Sequence, residues 1–168
     1  MQDVDAKLIK LGLIMTIMSV VDISNYAYPN QISLGNISFG QNTDGSIFIT
    51  KWSVPNVSEP TIDEIISLAP NYQNQFDLAI FISDGKIALS NYIDSIAQQQ
   101  QYNDAVSCAS YVNSYNSIWK AQAETFIAWR DSVYTYVIAQ ETLMQNGSRS
   151  IPTFAEFQTE LPVIAWPA

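Results

Sequence analysis

Carboxylate pairs are the residues in this chain whose type and spacing come nearest to chemistry. Asp77 and Asp84 lie seven positions apart, and Asp63 adjoins Glu64. Two carboxylates flanking a glycosidic bond can act as acid and base or nucleophile, so a wall-hydrolase reading starts from these pairs. Each also has a simpler role, as a helix cap or a solvated face. The chain has no histidine, which removes Ser-His-Asp and Cys-His catalysis and histidine metal sites. Its one cysteine, Cys108, lies between Ser107 and Ala109. A lone thiol makes neither an internal disulfide nor a structural zinc site, and small neighbours suit burial. There is no G-x-S-x-G elbow and no phosphate-cradling loop, and Gly35 and Gly40 lack dinucleotide spacing. The expectation is a non-enzyme with no catalytic residues, no cofactor and no metal.

Composition points instead to contacts with other proteins. Of 168 residues, 48% are hydrophobic and only 14% charged. That is enough apolar matter for one core without disulfides or metals. Uncharged polar and aromatic groups fill the remaining surface, and they desolvate more cheaply than Lys or Glu. The net charge of −9 repels phosphate backbones and anionic membranes, so no nucleic-acid partner is expected.

The elements follow from period and punctuation. Residues 8–27 carry helical spacing through Leu8, Leu11, Ile14, Met15, Met18 and Val21, stopped by Pro29 and Asn30. The apolar stretch 8–21 is too short to span a bilayer, and Asp3 and Asp5 spoil a signal peptide. Met15 and Met18 stand beside Met1 as candidate starts. Runs 32–39 and 46–52, joined through Asp44-Gly45, make a β-hairpin with Ile47, Ile49 and Lys51 on one face and Phe48, Thr50 and Trp52 on the other. Pro55 and Pro60 bound an extended connector. Pro60-Thr61-Ile62-Asp63-Glu64 then opens a short helix through a capping box, ending near Pro70.

Residues 71–87 fit a helix with a break at Gly85, while 78–82 followed by Ser83-Asp84-Gly85 also fit a strand and turn; the helix is the expectation taken here. A stripe of Leu89, Tyr92, Ile93 and Ile96 continues it, and residues 102–112 form a further helical run. The long element is 117–145. Trp119, Phe126 and Val133 recur every seven residues, as do Trp129, Tyr136 and Leu143, with Ile127, Tyr134 and Ile138 widening the stripe. This is an a/d pattern over about three heptads, so a homo-oligomer such as a trimer is one expectation and an intramolecular bundle the other. Asn146-Gly147 ends the helix, and Pro152-Thr153-Phe154-Ala155-Glu156 repeats the capping grammar. The apolar tail from Leu161, containing Trp166, is expected to dock on its own domain or on a partner.

The resulting expectation is an α+β protein. Residues 1–54 hold the N-terminal helix and hairpin, 55–60 the proline connector, and 61–168 a mainly helical portion with an apolar C-terminal tail. Trp119, Phe126, Trp129, Arg130, Val133, Tyr136 and Trp166 are the candidate partner-binding or core anchors. Arg130 reads either as a solvated helix arginine or as one half of an ion pair at an interface.

The order of motifs carries a resemblance. Tyr28-Pro29-Asn30, then 44–52 (DGSIFITKW), then 60–64 (PTIDE) resemble the amino-terminal region of XkdW-like phage tail proteins. Tyr92-Ile93-Asp94, Tyr102-Asn103-Asp104, 108–111 (CASY), 128–131 (AWRD), Pro152-Thr153, and Leu161-Pro162 with Trp166-Pro167 are similar to a carboxy-terminal region of phage tail-fibre and tail assembly proteins. The resemblance runs from about Val21 onward. It implies a structural component of a bacteriophage tail, at the tail tip, baseplate or fibre attachment, made in the host cytoplasm and built into the virion. Tail-fibre or baseplate subunits would be its partners. A tail-fibre assembly chaperone is the alternative, and a tail-associated cell-wall hydrolase a remote one.

Overall fold

A computed structural model describes residues 18–167, and the expected helical stripe from Leu8 to Met15 lies outside them. The described chain is α+β: mainly helical, with one small two-stranded antiparallel sheet. It divides into two units of packing, with the boundary after Asp77. The first unit therefore runs past the proline connector.

In the first unit, helix α1 spans Val20–Ala27. Ser19 caps it: its Oγ accepts from the Asp22 amide at 3.1 Å, and Asp22 accepts from the Ser19 amide at 2.9 Å. Strands β1, Ile37–Gln41, and β2, Ile47–Trp52, form the hairpin, and Gly45 takes the left-handed φ of 86° that the turn requires. Ile47 and Ile49 face the core and Phe48 and Thr50 face out, as the alternation predicts. Trp52 departs from it. A bulge lets Phe39 pair with Ile49 while Ser38 pairs with Lys51, so Thr50 and Lys51 are exposed in succession and Trp52 turns half-buried. There it pairs with Ile37, meets the Tyr28 ring edge-on at 5.0 Å, and donates from its indole to the Val57 carbonyl at 2.9 Å. Tyr28, Trp52 and the proline connector are thus held together.

Helix α2, Ile62–Ser67, carries the expected capping box, with Thr61 accepting from the Glu64 amide and Glu64 accepting from the Thr61 amide. Its Ile65 is fully buried among Met18, Val20 and Ile23.

Helix α3 runs unbroken from Ala69 to Gln98, against the expected break at Gly85. Pro70 sits in its first turn, where a missing N–H costs no hydrogen bond. Gly85 keeps helical backbone, because one glycine costs a helix only about 1 kcal/mol relative to alanine. From Leu78 the helix belongs to the second unit, where Leu89, Ile93, Ile96 and Ala97 are buried.

Helix α4, Ala105–Ser110, is shorter than expected and passes into a 3-10 turn at Tyr111–Asn113. Asp104 caps it, and Asp94 of α3 accepts from the Ala105 amide at 2.9 Å. Cys108 is fully buried, and burial pushes its thiol up to about 11. Helix α5, Ser117–Gln145, has the expected bounds and ends on Gly147 at φ 74°. Helix α6, Phe154–Thr159, starts from the Thr153–Glu156 capping box.

A methyl group added at Gly85 would meet Phe154 at 3.9 Å, an ordinary contact. Gly85→Ala is therefore expected to stabilise the protein by about 0.5–1 kcal/mol in urea unfolding. Destabilisation would mean that the helix needs glycine there.

Candidate interaction surface

The second unit uses the middle of α5 for its own core. Phe126, Trp129 and Val133 are buried there with Met144, Phe157 and Leu161. Residues 161–167 lie against them. The Trp129 indole donates to the Pro162 carbonyl at 2.7 Å, and Trp166 stacks on Phe126 with centroids 6.1 Å apart at 9°. Tyr136 is half-buried against Phe157. Of the seven anchors named from sequence, these five are thus brought together in one core.

Arg130 and Trp119 lie elsewhere. Arg130 pairs with its neighbour Asp131 at 3.4 Å, a partly solvated contact of little energetic weight. Trp119 is 48% exposed. Its ring stands edge-on to Tyr111 at 5.5 Å, and Tyr111 lies 5.5 Å from Tyr102. Tyr115, Ile118 and Val106 are exposed as well. Uncharged groups border this aromatic row: Tyr102 donates to Gln122 at 2.8 Å, and Gln122 donates to Gln100 at 3.3 Å. The heptad at Trp119 is continuous in sequence, but the first turns of α5 meet the 3-10 turn, short α4 and the loop at Gln100 and Tyr102, which leave Ile118 and Trp119 exposed.

A second opening lies between α3 and α5, where Tyr134 and Ile138 are exposed beside Phe81, Ile82 and Leu89.

Sequence reasoning did not anticipate the cluster that fixes α6. Arg149 Nη2 reaches both carboxylate oxygens of Glu160 at 2.7 Å, Tyr136 donates to the same carboxylate at 2.7 Å, and Arg149 also donates to Gln140. Its guanidinium lies 5.4 Å from the centre of the Phe157 ring. The sequence signal was slight: one arginine just past a glycine cap, eleven positions before a glutamate.

One carboxylate of each acidic pair is engaged and the other is exposed. Asp77 accepts from Gln73 at 2.8 Å, Asp84 is exposed, and Glu64 is spent in its capping box beside exposed Asp63. Among the described residues no group of three or more His, Cys, Asp and Glu is arranged to hold a metal. No helix among them is long and apolar enough to cross a membrane. The chain matches no protein-family model, no curated protein and no solved structure.

The Glu160 carboxyl is held below the ordinary 4.5 by the Tyr136 hydroxyl and then by Arg149. Glu64 and Glu156 are lowered from 4.5 by their own capping amides. A carboxyl lowered on folding stabilises fully above its unfolded value and loses that contribution as pH falls through its folded value. Stability measured by urea unfolding should therefore decline as pH drops below 4.5. Glu160→Gln should be less stable than the parent at neutral pH, with the gap closing in acid. A gap that stays constant with pH would refute the role given to this carboxylate.

Proposed function

We propose that this chain is a structural component of a bacteriophage tail, at the tail tip, baseplate or fibre attachment, acting through protein contact rather than catalysis. Two things support the reading. One is the order of the motifs from Tyr28-Pro29-Asn30 to Trp166-Pro167, which resembles tail proteins. The other carries the contact role: the exposed row of Tyr111, Tyr115, Ile118 and Trp119. Tyrosine and tryptophan supply large contact area with few rotamers to freeze, and they dominate interface energetics. The row is bordered by amides, so covering it desolvates no charge at Gln100 or Gln122.

A fibre or baseplate subunit seated on this row would bury Trp119 at the centre of its contact. Trp119→Ala leaves the chain's own core intact, because the ring packs on exposed Tyr111 and not on Phe126. Its loss from the interface should cost about 2 kcal/mol or more of binding, roughly thirtyfold in affinity.

The test is quantitative mass spectrometry of purified virions, with copy number referenced to a known tail subunit. The expected result is a fixed stoichiometry for the parent chain and depletion for Trp119→Ala. Absence of the parent from virions, with fibre-bound chain in lysates, would make it an assembly chaperone and overturn the structural role.

A further inference from the structure

We propose that the exposed row at Tyr111 and Trp119 takes a proline-containing, extended segment of its protein partner, with the Trp119 indole donating to one of that segment's backbone carbonyls. The inference rests on the contact role given to the row and adds the chemistry of what fills it. The chain pairs tryptophan with such a segment twice on its own account. The Trp52 indole donates to the Val57 carbonyl at 2.9 Å, and Val57 lies between Pro55 and Pro60. The Trp129 indole donates to the Pro162 carbonyl at 2.7 Å. Both acceptors stand outside helix and strand. Each of these tryptophans also meets a tyrosine edge-on, Tyr28 at 5.0 Å and Tyr92 at 6.2 Å. Trp119 has the tyrosine, Tyr111, edge-on at 5.5 Å, but its indole N–H has no acceptor among the described residues. The third member of the pattern is complete except for the carbonyl. Trp166 differs from all three: it stacks on Phe126, and its indole N–H is buried without a partner.

Electrostatic complementarity selects the occupant. The Trp119 N–H and the Tyr111 and Tyr115 hydroxyls make no hydrogen bond among the described residues, and all three side chains are exposed. The row thus offers donors and no charge of its own. Covering Trp119 without an acceptor would leave a desolvated donor. A helical partner spends its carbonyls on its own amides and has none to give. An extended proline segment has no internal backbone hydrogen bonds, and each proline brings a carbonyl but no N–H. It is rich in acceptors where the row is rich in donors. Its pyrrolidine rings are apolar and uncharged, as suits rings bordered by the amides of Gln100 and Gln122. Segments of this kind dock on aromatic-lined grooves because little of their freedom is left to lose.

NMR of the nitrogen-labelled full chain, titrated with a synthetic oligoproline, tests the proposal. The Trp119 indole signal should move and saturate, while those of Trp52 and Trp129, already bonded, stay in place. Trp119→Phe keeps an aromatic ring beside Tyr111 and deletes the donor. Followed at the Tyr111 amide, this variant should bind oligoproline about threefold to tenfold more weakly than the parent. Its circular dichroism should match the parent's, since Trp119 lies outside the core. An alanine-rich helical peptide should leave the Trp119 signal unmoved. An indole signal indifferent to millimolar oligoproline would overturn the proposal, as would equal binding by Trp119→Phe or by the helical peptide. Such a failure is distinct from failure of the contact role: virions that hold the parent and lose Trp119→Ala would keep the row as a docking surface and remove only the proline segment.

Discussion

The hydrogen bond from the Trp129 indole to the Pro162 carbonyl, 2.7 Å long, is the constraint on which the second unit depends. Trp129 is 6% exposed, its ring stands among Phe126 and Tyr92, and its one polar atom needs a partner inside the core. An unsatisfied buried donor costs about 1–3 kcal/mol. Residues 161–167 supply the acceptor, and in doing so bring Leu161 and Trp166 over Phe126. The α3 stripe, the middle of α5 and this segment close on one another around that tryptophan.

Closure in the middle leaves openings elsewhere. α3 covers the middle of α5, but the other neighbours, α4 and α6, are six residues each, and parts of the twenty-nine-residue apolar stripe stay exposed. Trp119 and Ile118 emerge before the core, and Tyr134 and Ile138 emerge beside it. The opening at Trp119 is bordered by the amides of Gln100 and Gln122, and the one between α3 and α5 carries Lys86 and Glu141 around an otherwise apolar lining, which is the physical basis for reading the protein through its contacts. The Arg149–Glu160–Tyr136 cluster adds direction: it fixes α6 against the far half of α5 with charge-assisted bonds from Arg149 Nη2 to both Glu160 oxygens rather than apolar area alone.

What the sequence disclosed was local. The Thr61 and Thr153 capping boxes, the glycine cap at Gly147 and the bounds of α5 each depend on residues within about four positions, and each was legible. The hairpin was legible up to its bulge. A bulge at Thr50 follows from pairing across strands, so Trp52 could not be placed from alternation alone. The Gly85 break was overestimated because a glycine's helical cost is small beside thirty residues of continuous backbone bonding. The burial of Trp129 and the exposure of Trp119 were indistinguishable in a seven-residue repeat. Only contacts made over long separations, such as Trp129 with Pro162 thirty-three positions away, divide that repeat into core and surface.

Native-state hydrogen exchange of the Trp129 indole N–H, followed by NMR in the full chain, tests this account most directly. If residues 161–167 are part of the core, that proton exchanges only when the second unit unfolds, with the same free energy as the slowest amides of α5. Exchange at the rate of an exposed indole, while those α5 amides stay protected, would show that the segment is not bound over Trp129, and the core described here would be wrong.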